Sequence, residues 1–283
     1  MLNLLFTILL FNLLIILFKI FKKYHVNTLQ ALTVNYFISA ILACIYIEDK
    51  INIVKLLESE WIPHALTIGA LFIIVFYIYS YGVQNIGISV TTLANKMSVV
   101  IPVTAALILY PNETLTLTKL TALMLAFIGI YFSSLKNNKI NFRKKILWLI
   151  LLIFFSQGVV DAIFNDFFQT YRKENDYLFF MVLFLTAGFT GCILIILESI
   201  KTSFQLEFKV LIWGIIFAIP NFFSLIFFIK ALNEVESSIV YPLASIGIII
   251  SSTLLGMFIF KEKINRNNWL GIIICAIAIY LFS

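Results

Sequence analysis

An all-α polytopic membrane protein, with ten transmembrane helices arranged as two inverted five-helix repeats, is predicted by three features of this 283-residue sequence. First, 62% of its residues are hydrophobic and 12% charged, against about 45–50% and about 25% in soluble domains. Its mean hydropathy is +1.04. Second, the charges gather in short clusters between long uncharged stretches of roughly the 20 residues needed to span a bilayer. Third, a basic linker splits these stretches five and five, and an odd number of crossings makes the second half enter the membrane from the opposite side.

Charge and turn residues bound the ten runs at 2–18, 28–47, 62–82, 87–110, 116–135, 146–169, 177–197, 208–230, 237–260 and 268–283. The first run lacks a preceding basic region and a cleavage site, so it reads as a retained helix. The second and third are joined by the longest connection, Glu48–Trp61, which carries two Lys and four acidic residues. The fourth is interrupted by Asn95 and Lys96, and the second by Asn35. After the fifth comes the linker 136–145, with Lys136, Lys139, Arg143, Lys144 and Lys145 and no acid. The sixth run carries Asp161 and Asn165, and the eighth carries Asn221 directly after Pro220. Pro102, Pro220 and Pro242 mark candidate helix breaks.

This composition excludes a soluble enzyme, a nucleic-acid-binding domain and a disordered chain. No polar segment is long enough for a core of its own, so a large extramembrane domain is excluded too. The net charge of +6 comes from Lys and Arg in loops, where basic residues set topology and touch anionic lipid. Cys44, Cys192 and Cys275 each sit inside an apolar run and read as small packing residues. Metal, redox, nucleotide and serine-hydrolase motifs are missing, and no cofactor is expected.

The halves resemble one another. An offset of 149 residues lays Ser89 on Ser238, Thr104 on Thr253, Glu113 on Glu262 and Tyr131 on Tyr280, and Asn12 on Asp161. Low identity with a shared hydropathy pattern is the signature of transporter repeats. The expected units are 1–138 and 139–283.

The stretches Pro111-Asn-Glu113-Thr-Leu-Thr, Leu120 to Ser133, Ala231-Leu-Asn, Tyr241-Pro-Leu, Phe260-Lys-Glu262-Lys and Trp269-Leu-Gly-Ile through Tyr280 together resemble the drug/metabolite transporter superfamily, in its EamA-like branch. Ala94 to Pro102 and Ile219 to Ser224 add to that resemblance. It covers nearly the whole chain and implies a multi-pass carrier of small metabolites or drugs, an exporter in the cytoplasmic (inner) membrane. It supplies no binding residue.

The residues themselves nominate a site. Lys96 lies mid-run, too deep to snorkel, and a Lys at the bilayer centre costs about 2.5–3.5 kcal/mol on the insertion scale. It should therefore face the protein interior or water. The bland alternative is a Lys bonded to carbonyls freed by Pro102. Gln157, Asp161, Asn165 and Gln169 recur every four residues and share one helix face, which should line a cavity rather than lipid. Their bland alternative is a polar seam between helices. Asn95, Asn221 and Tyr241 complete the candidate substrate-binding set, and Tyr77 and Tyr81 are candidate pocket walls. Asp166 reads as interfacial. Glu113 and Glu262 read as caps for the following helix or partners of a nearby Lys. Spacings such as Gly271-x-x-x-Cys275 suggest close packing within a monomer or between two copies of a homodimer.

A small-molecule carrier working by alternating access around Lys96, Asp161 and Asn221 follows, and an approach of Lys96 to Asp161 would couple it to protons. The competing classes are a non-transporting membrane protein (an enzyme or a complex subunit) and a flippase for lipid-linked substrates. The loops offer few convergent His, Asp or Glu for an enzyme, and a scaffold has no need of charges at depth. Counting Lys and Arg favours both termini outside, whereas the resemblance implies termini inside.

Overall fold

A computed structural model describes residues 1–47, 51, 53–102, 105, 116–134, 144–171, 176–200, 207–235 and 237–282. Ten long helices follow in chain order: α1 (Leu2–Lys23), α2 (Thr28–Ile45), α3 (Ile62–Asn85), α4 (Ile88–Met97), α5 (Leu117–Ser134), α6 (Lys144–Thr170), α7 (Asp176–Ser199), α8 (Phe208–Glu234), α9 (Ser237–Phe258) and α10 (Arg266–Phe282). A short helix, Ile53–Leu57, lies between α2 and α3. The described residues contain no strand. Lipid offers no partner for backbone N–H and C=O groups, so an uncharged run of this length satisfies them internally as helix. Six helices (α1, α2, α3, α6, α7 and α8) are by themselves long and apolar enough to cross a membrane. Glu113 and the linker up to residue 143 lie outside the described residues.

Local chemistry fixes the helix ends. The Asn27 side chain accepts the Gln30 N–H at 3.1 Å and caps α2. Pro63 stands in the first turn of α3, where its missing N–H costs nothing. Lys22 and Lys23 occupy the last turn of α1, beside its orphan carbonyls. Both α8 and α9 continue without interruption through Pro220 and Pro242, so these prolines do not break their helices.

The fourth run does break, but not at Pro102. Helix α4 stops at Met97, Ser98 and Val99 form a turn, and helical geometry resumes over 100–102. Pro102 has no N–H to give the Ser98 carbonyl four residues back, and its ring crowds that oxygen. The Ile101 N–H takes the Ser98 carbonyl instead, at 2.8 Å. The discontinuity therefore falls one turn before the proline that causes it.

Helix pairing has the symmetry of the repeat. Exchanging each helix with the one five places on turns α2·α8 into α7·α3, α1·α8 into α6·α3, and α1·α9 into α6·α4, while α5·α10, α2·α7 and α4·α9 map onto themselves; all of these pairs are in contact. Helices α5 and α10 pack tightly at Gly129, where a Cβ would collide with Cys275 Sγ and crowd the Gly271 carbonyl. The small-residue spacing at Gly271 and Cys275 thus packs two helices of one chain. An aromatic interior joins the halves: Phe18 of α1 lies 4.8 Å from Phe217 of α8, and Tyr36 of α2 stacks on Phe184 of α7 at 6.1 Å. Outside, Ile41, Ile45, Phe155, Phe189, Ile193 and Ile196 are exposed along the helices. Such an apolar exterior requires lipid around it.

Candidate functional site

The break in α4 creates the site. It halts the regular hydrogen-bond ladder at the depth where Asn95 and Ser98 face α6 and Lys96 faces α1. Asn95 Nδ2 donates to Gln157 Oε1 at 2.8 Å, and Gln157 Nε2 donates to Asp161 Oδ1 at 2.8 Å. Asp161 Oδ2 lies 3.0 Å from Ser98 Oγ, which also reaches back to the Asn95 carbonyl. The result is a closed ring of polar groups between a helix of the first half and one of the second. Asn95 and Ser98 are buried, and Gln157 and Asp161 half-buried.

Ser98 has one hydroxyl proton and two acceptors within reach. If Asp161 is ionised, the hydroxyl can serve the carboxylate or the carbonyl but not both. If Asp161 carries a proton on Oδ2, that proton goes to Ser98 Oγ, the hydroxyl goes to the Asn95 carbonyl, and both protons have an acceptor. The ring accommodates both states by rotating one hydroxyl.

Lys96 is half-buried beside this ring. No ion pair within 4.0 Å joins it to Asp161. Its Nζ instead sits 3.9 Å from the centroid of the Phe11 ring on α1, a close cation–π contact. It interacts with Asp161 through space, as does Tyr241 of α9. Tyr241 packs its ring edge-on against Phe228 at 5.2 Å. Asn165, one turn beyond Asp161, is half-buried and outside the ring of hydrogen bonds. The Gln169 side chain lies outside the described residues.

Asn221 is placed elsewhere. It is 1% exposed and donates to Asn35 Oδ1 at 3.2 Å, joining α8 to α2. The Asn35 amide nitrogen is buried without a partner. Asn12, the repeat equivalent of Asp161, donates to Ser251 Oγ at 2.7 Å across α1 and α9, the counterpart of the α6–α4 contact. His64 Nε2 meets Asp166 Oδ2 at 2.9 Å where α3 starts and α6 ends.

Glu262 pairs with a Lys and caps a helix, but not the helix that the sequence indicated. Its carboxylate accepts the Ile88 N–H at 2.8 and 3.0 Å and binds Lys19 Nζ at 3.0 Å. It caps α4 of the other half, not the helix that follows it. Gly87, at φ 141°, lets the chain turn into this contact. Ser98 and Phe11 were not singled out in the sequence. Ser98's only signal is its place four residues before Pro102, and Phe11 has none.

The model of the EamA-like transporter family matches residues 1–135 and again 143–283. This chain belongs to that family. The EamA-like chain is 30% identical over 288 residues to an uncharacterised protein of Haemophilus influenzae, covering 98% of this chain and 96% of that one. It is 36% identical over 75 residues to the "probable 4-amino-4-deoxy-L-arabinose-phosphoundecaprenol flippase subunit ArnE" of Proteus mirabilis, covering 26% of this chain and 66% of that protein. An uncharacterised protein of Methanocaldococcus jannaschii is 30% identical over 138 residues, 49% of this chain but 94% of that one. The EamA-like chain is thus a multi-pass protein of a membrane transporter family.

Proposed function

We propose that this transporter moves a small organic solute across the cytoplasmic membrane by alternating access, with Asn95, Lys96, Gln157 and Asp161 at the substrate site. The observation that carries this is the polar ring at the break in α4. Discontinuous helices near the midplane, at the interface of two inverted repeats, are where carriers of this architecture bind substrate. The family matches on either side of the basic linker support a repeat boundary between 138 and 139. Lys96, held over an aromatic face and not neutralised by direct contact, suits a carboxylate or other anionic group on the substrate. Asp161 suits proton exchange, because rotation of the Ser98 hydroxyl serves both of its protonation states. Tyr241 flanks this site. Asn165 and Asn221 are assigned to the walls that open as the halves rock.

The test is uptake of a metabolite panel into proteoliposomes with and without an imposed pH gradient. Asp161→Asn keeps an acceptor for Gln157 and turns an N–H toward Ser98 Oγ, as the protonated acid does, but cannot exchange a proton. It should abolish gradient-driven accumulation and leave exchange partly intact. An equal response to the gradient in wild type and Asp161→Asn refutes coupling at this residue. The similarity to ArnE favours a second reading, flipping of a lipid-linked solute. Activity on lipid-linked carriers with none on soluble solutes would select it.

A further inference from the structure

The end of α1 and the turn between α9 and α10 meet at one face of the membrane and form a basic surface there. Residues 19–27 and 258–270 hold six Lys and Arg but a single acid, Glu262. Their contacts gather them. Lys19 Nζ lies 3.0 Å from the Glu262 carboxylate and 5.9 Å from the centre of the Phe260 ring, so Lys261 and Lys263, on either side of Glu262, are brought to the end of α1. Glu262 also accepts the Ile88 N–H. Three residues before Ile88, Asn85 Oδ1 accepts from Lys22 Nζ at 3.1 Å, and the Gln84 carbonyl does so at 2.7 Å.

The charge of this surface is unbalanced. The one carboxylate in these segments is committed to Lys19 and to the start of α4, and Lys22 is held by neutral oxygens. Lys23, Lys261, Lys263 and Arg266 are exposed, and among the described residues none of them forms an ion pair. Lys261 is also in the left-handed region, at φ 52°, where the chain closes α9 by passing the Glu262 N–H to the Gly256 carbonyl at 2.8 Å. Glycine or asparagine is the usual residue at such a helix end. This chain keeps a cation where the backbone favours having no side chain. Beside these charges the surface is apolar. Phe258 is 76% and Ile259 56% exposed, and Tyr24 and Trp269, also exposed, are the amphipathic rings that mark a membrane–water interface.

We propose that this surface binds an anionic phospholipid, its phosphate held between Lys261 and Lys263 and its acyl chains laid against Phe258 and Ile259. Lysine ammonium groups bind phosphate oxygens through charge-assisted hydrogen bonds, and juxtamembrane clusters of them attract anionic lipid. A zwitterionic headgroup offsets its phosphate with its own cation, whereas an anionic one neutralises the excess positive charge. The site is separate from the α4–α6 ring, so it does not depend on the transport substrate.

The experiment uses the full-length protein in mixed phosphatidylglycerol/phosphatidylcholine nanodiscs, with retained lipid read by native mass spectrometry after detergent extraction. Wild type should retain phosphatidylglycerol over phosphatidylcholine by roughly fivefold or more. Lys261→Gly combined with Lys263→Gln should bring that ratio near one, while Lys261→Arg with Lys263→Arg, which keeps both charges, should preserve most of it. Lys261→Gly alone relieves the left-handed backbone. It should keep or raise thermal stability in lipid-free detergent and still lower the ratio, an outcome that a purely structural lysine would not give. Lys209→Gln with Lys230→Gln removes the same net charge at the two ends of α8 and should leave the ratio unchanged; an equal fall there reflects net charge alone and overturns the site. Equal retention of the two lipids by wild type, or an unchanged ratio in the Lys261→Gly, Lys263→Gln protein, overturns it too. Millimolar glycerol 3-phosphate should not displace the lipid; displacement overturns the part assigned to the acyl chains.

Discussion

Truncating Glu262 to Ala should destabilise this fold markedly, and the structure says how much. The carboxylate satisfies the Ile88 N–H at the start of α4 with two oxygens at 2.8 and 3.0 Å, and neutralises Lys19 at 3.0 Å. Loss of a helix N-cap costs about 1 kcal/mol. A negative charge at a helix N-terminus contributes about 0.3–1 kcal/mol. The side chains of Glu262 and Lys19 are only 17% and 18% exposed, so removing one leaves the other charge largely shielded from water without its partner, for about 1–2 kcal/mol more. The expected loss is roughly 3 kcal/mol for Glu262→Ala and about half of that for Glu262→Gln, which keeps an acceptor for the Ile88 N–H. The assay is reversible unfolding in mixed micelles, run as a double-mutant cycle with Lys19→Met. The two sites should couple by about 1 kcal/mol. Strictly additive Lys19→Met and Glu262→Ala effects, or equal losses in Ala and Gln variants, would refute this account of the contact.

Gly129→Leu should destabilise the α5–α10 contact by about 1–3 kcal/mol through overpacking, measured by the same unfolding assay, with Gly129→Ala showing a smaller loss in the same direction. Phe11→Leu removes the ring beneath Lys96 while keeping apolar volume. It should weaken binding of an anionic substrate several-fold, the size of a partly desolvated cation–π contact, and change little for a neutral one, as a flux comparison in proteoliposomes would show. Ser98→Ala should narrow the pH range of transport, and Ser98→Thr, which restores the hydroxyl, should recover it; identical pH profiles for the three proteins would remove Ser98 from proton handling.

The helices were legible because lipid leaves an uncharged twenty-residue run few alternatives, and the face of Gln157 and Asp161 because a four-residue period in α6 has one geometric meaning. The partners of that face were half legible. Asn95 and Lys96 announce themselves as polar residues at depth, whereas Ser98 looks like any small helical residue until Pro102 is seen to remove the N–H its carbonyl needs. Phe11 is one of 29 phenylalanines, and nothing in the sequence marks it as the ring that holds Lys96. Asn221 was grouped with Lys96 by depth alone, but depth does not fix azimuth, and the packing of α8 on α2 turns it toward Asn35. Glu262 was readable as a cap, though its target was not. The contact joins residues 174 positions apart, and local spacing carries no information at that separation.

That separation also bears on how the protein is made. A ribosome delivers α4 to the membrane long before Glu262 has been polymerised, so the N-terminus of α4 waits without its cap while five more helices are inserted. The helix that carries Asn95, Lys96 and Ser98 therefore reaches its final setting only when the turn between α9 and α10 emerges. A nascent chain arrested before residue 262 holds α4 without this cap. The cap on α4 is thus set only after the chain has passed from the first half through four helices of the second.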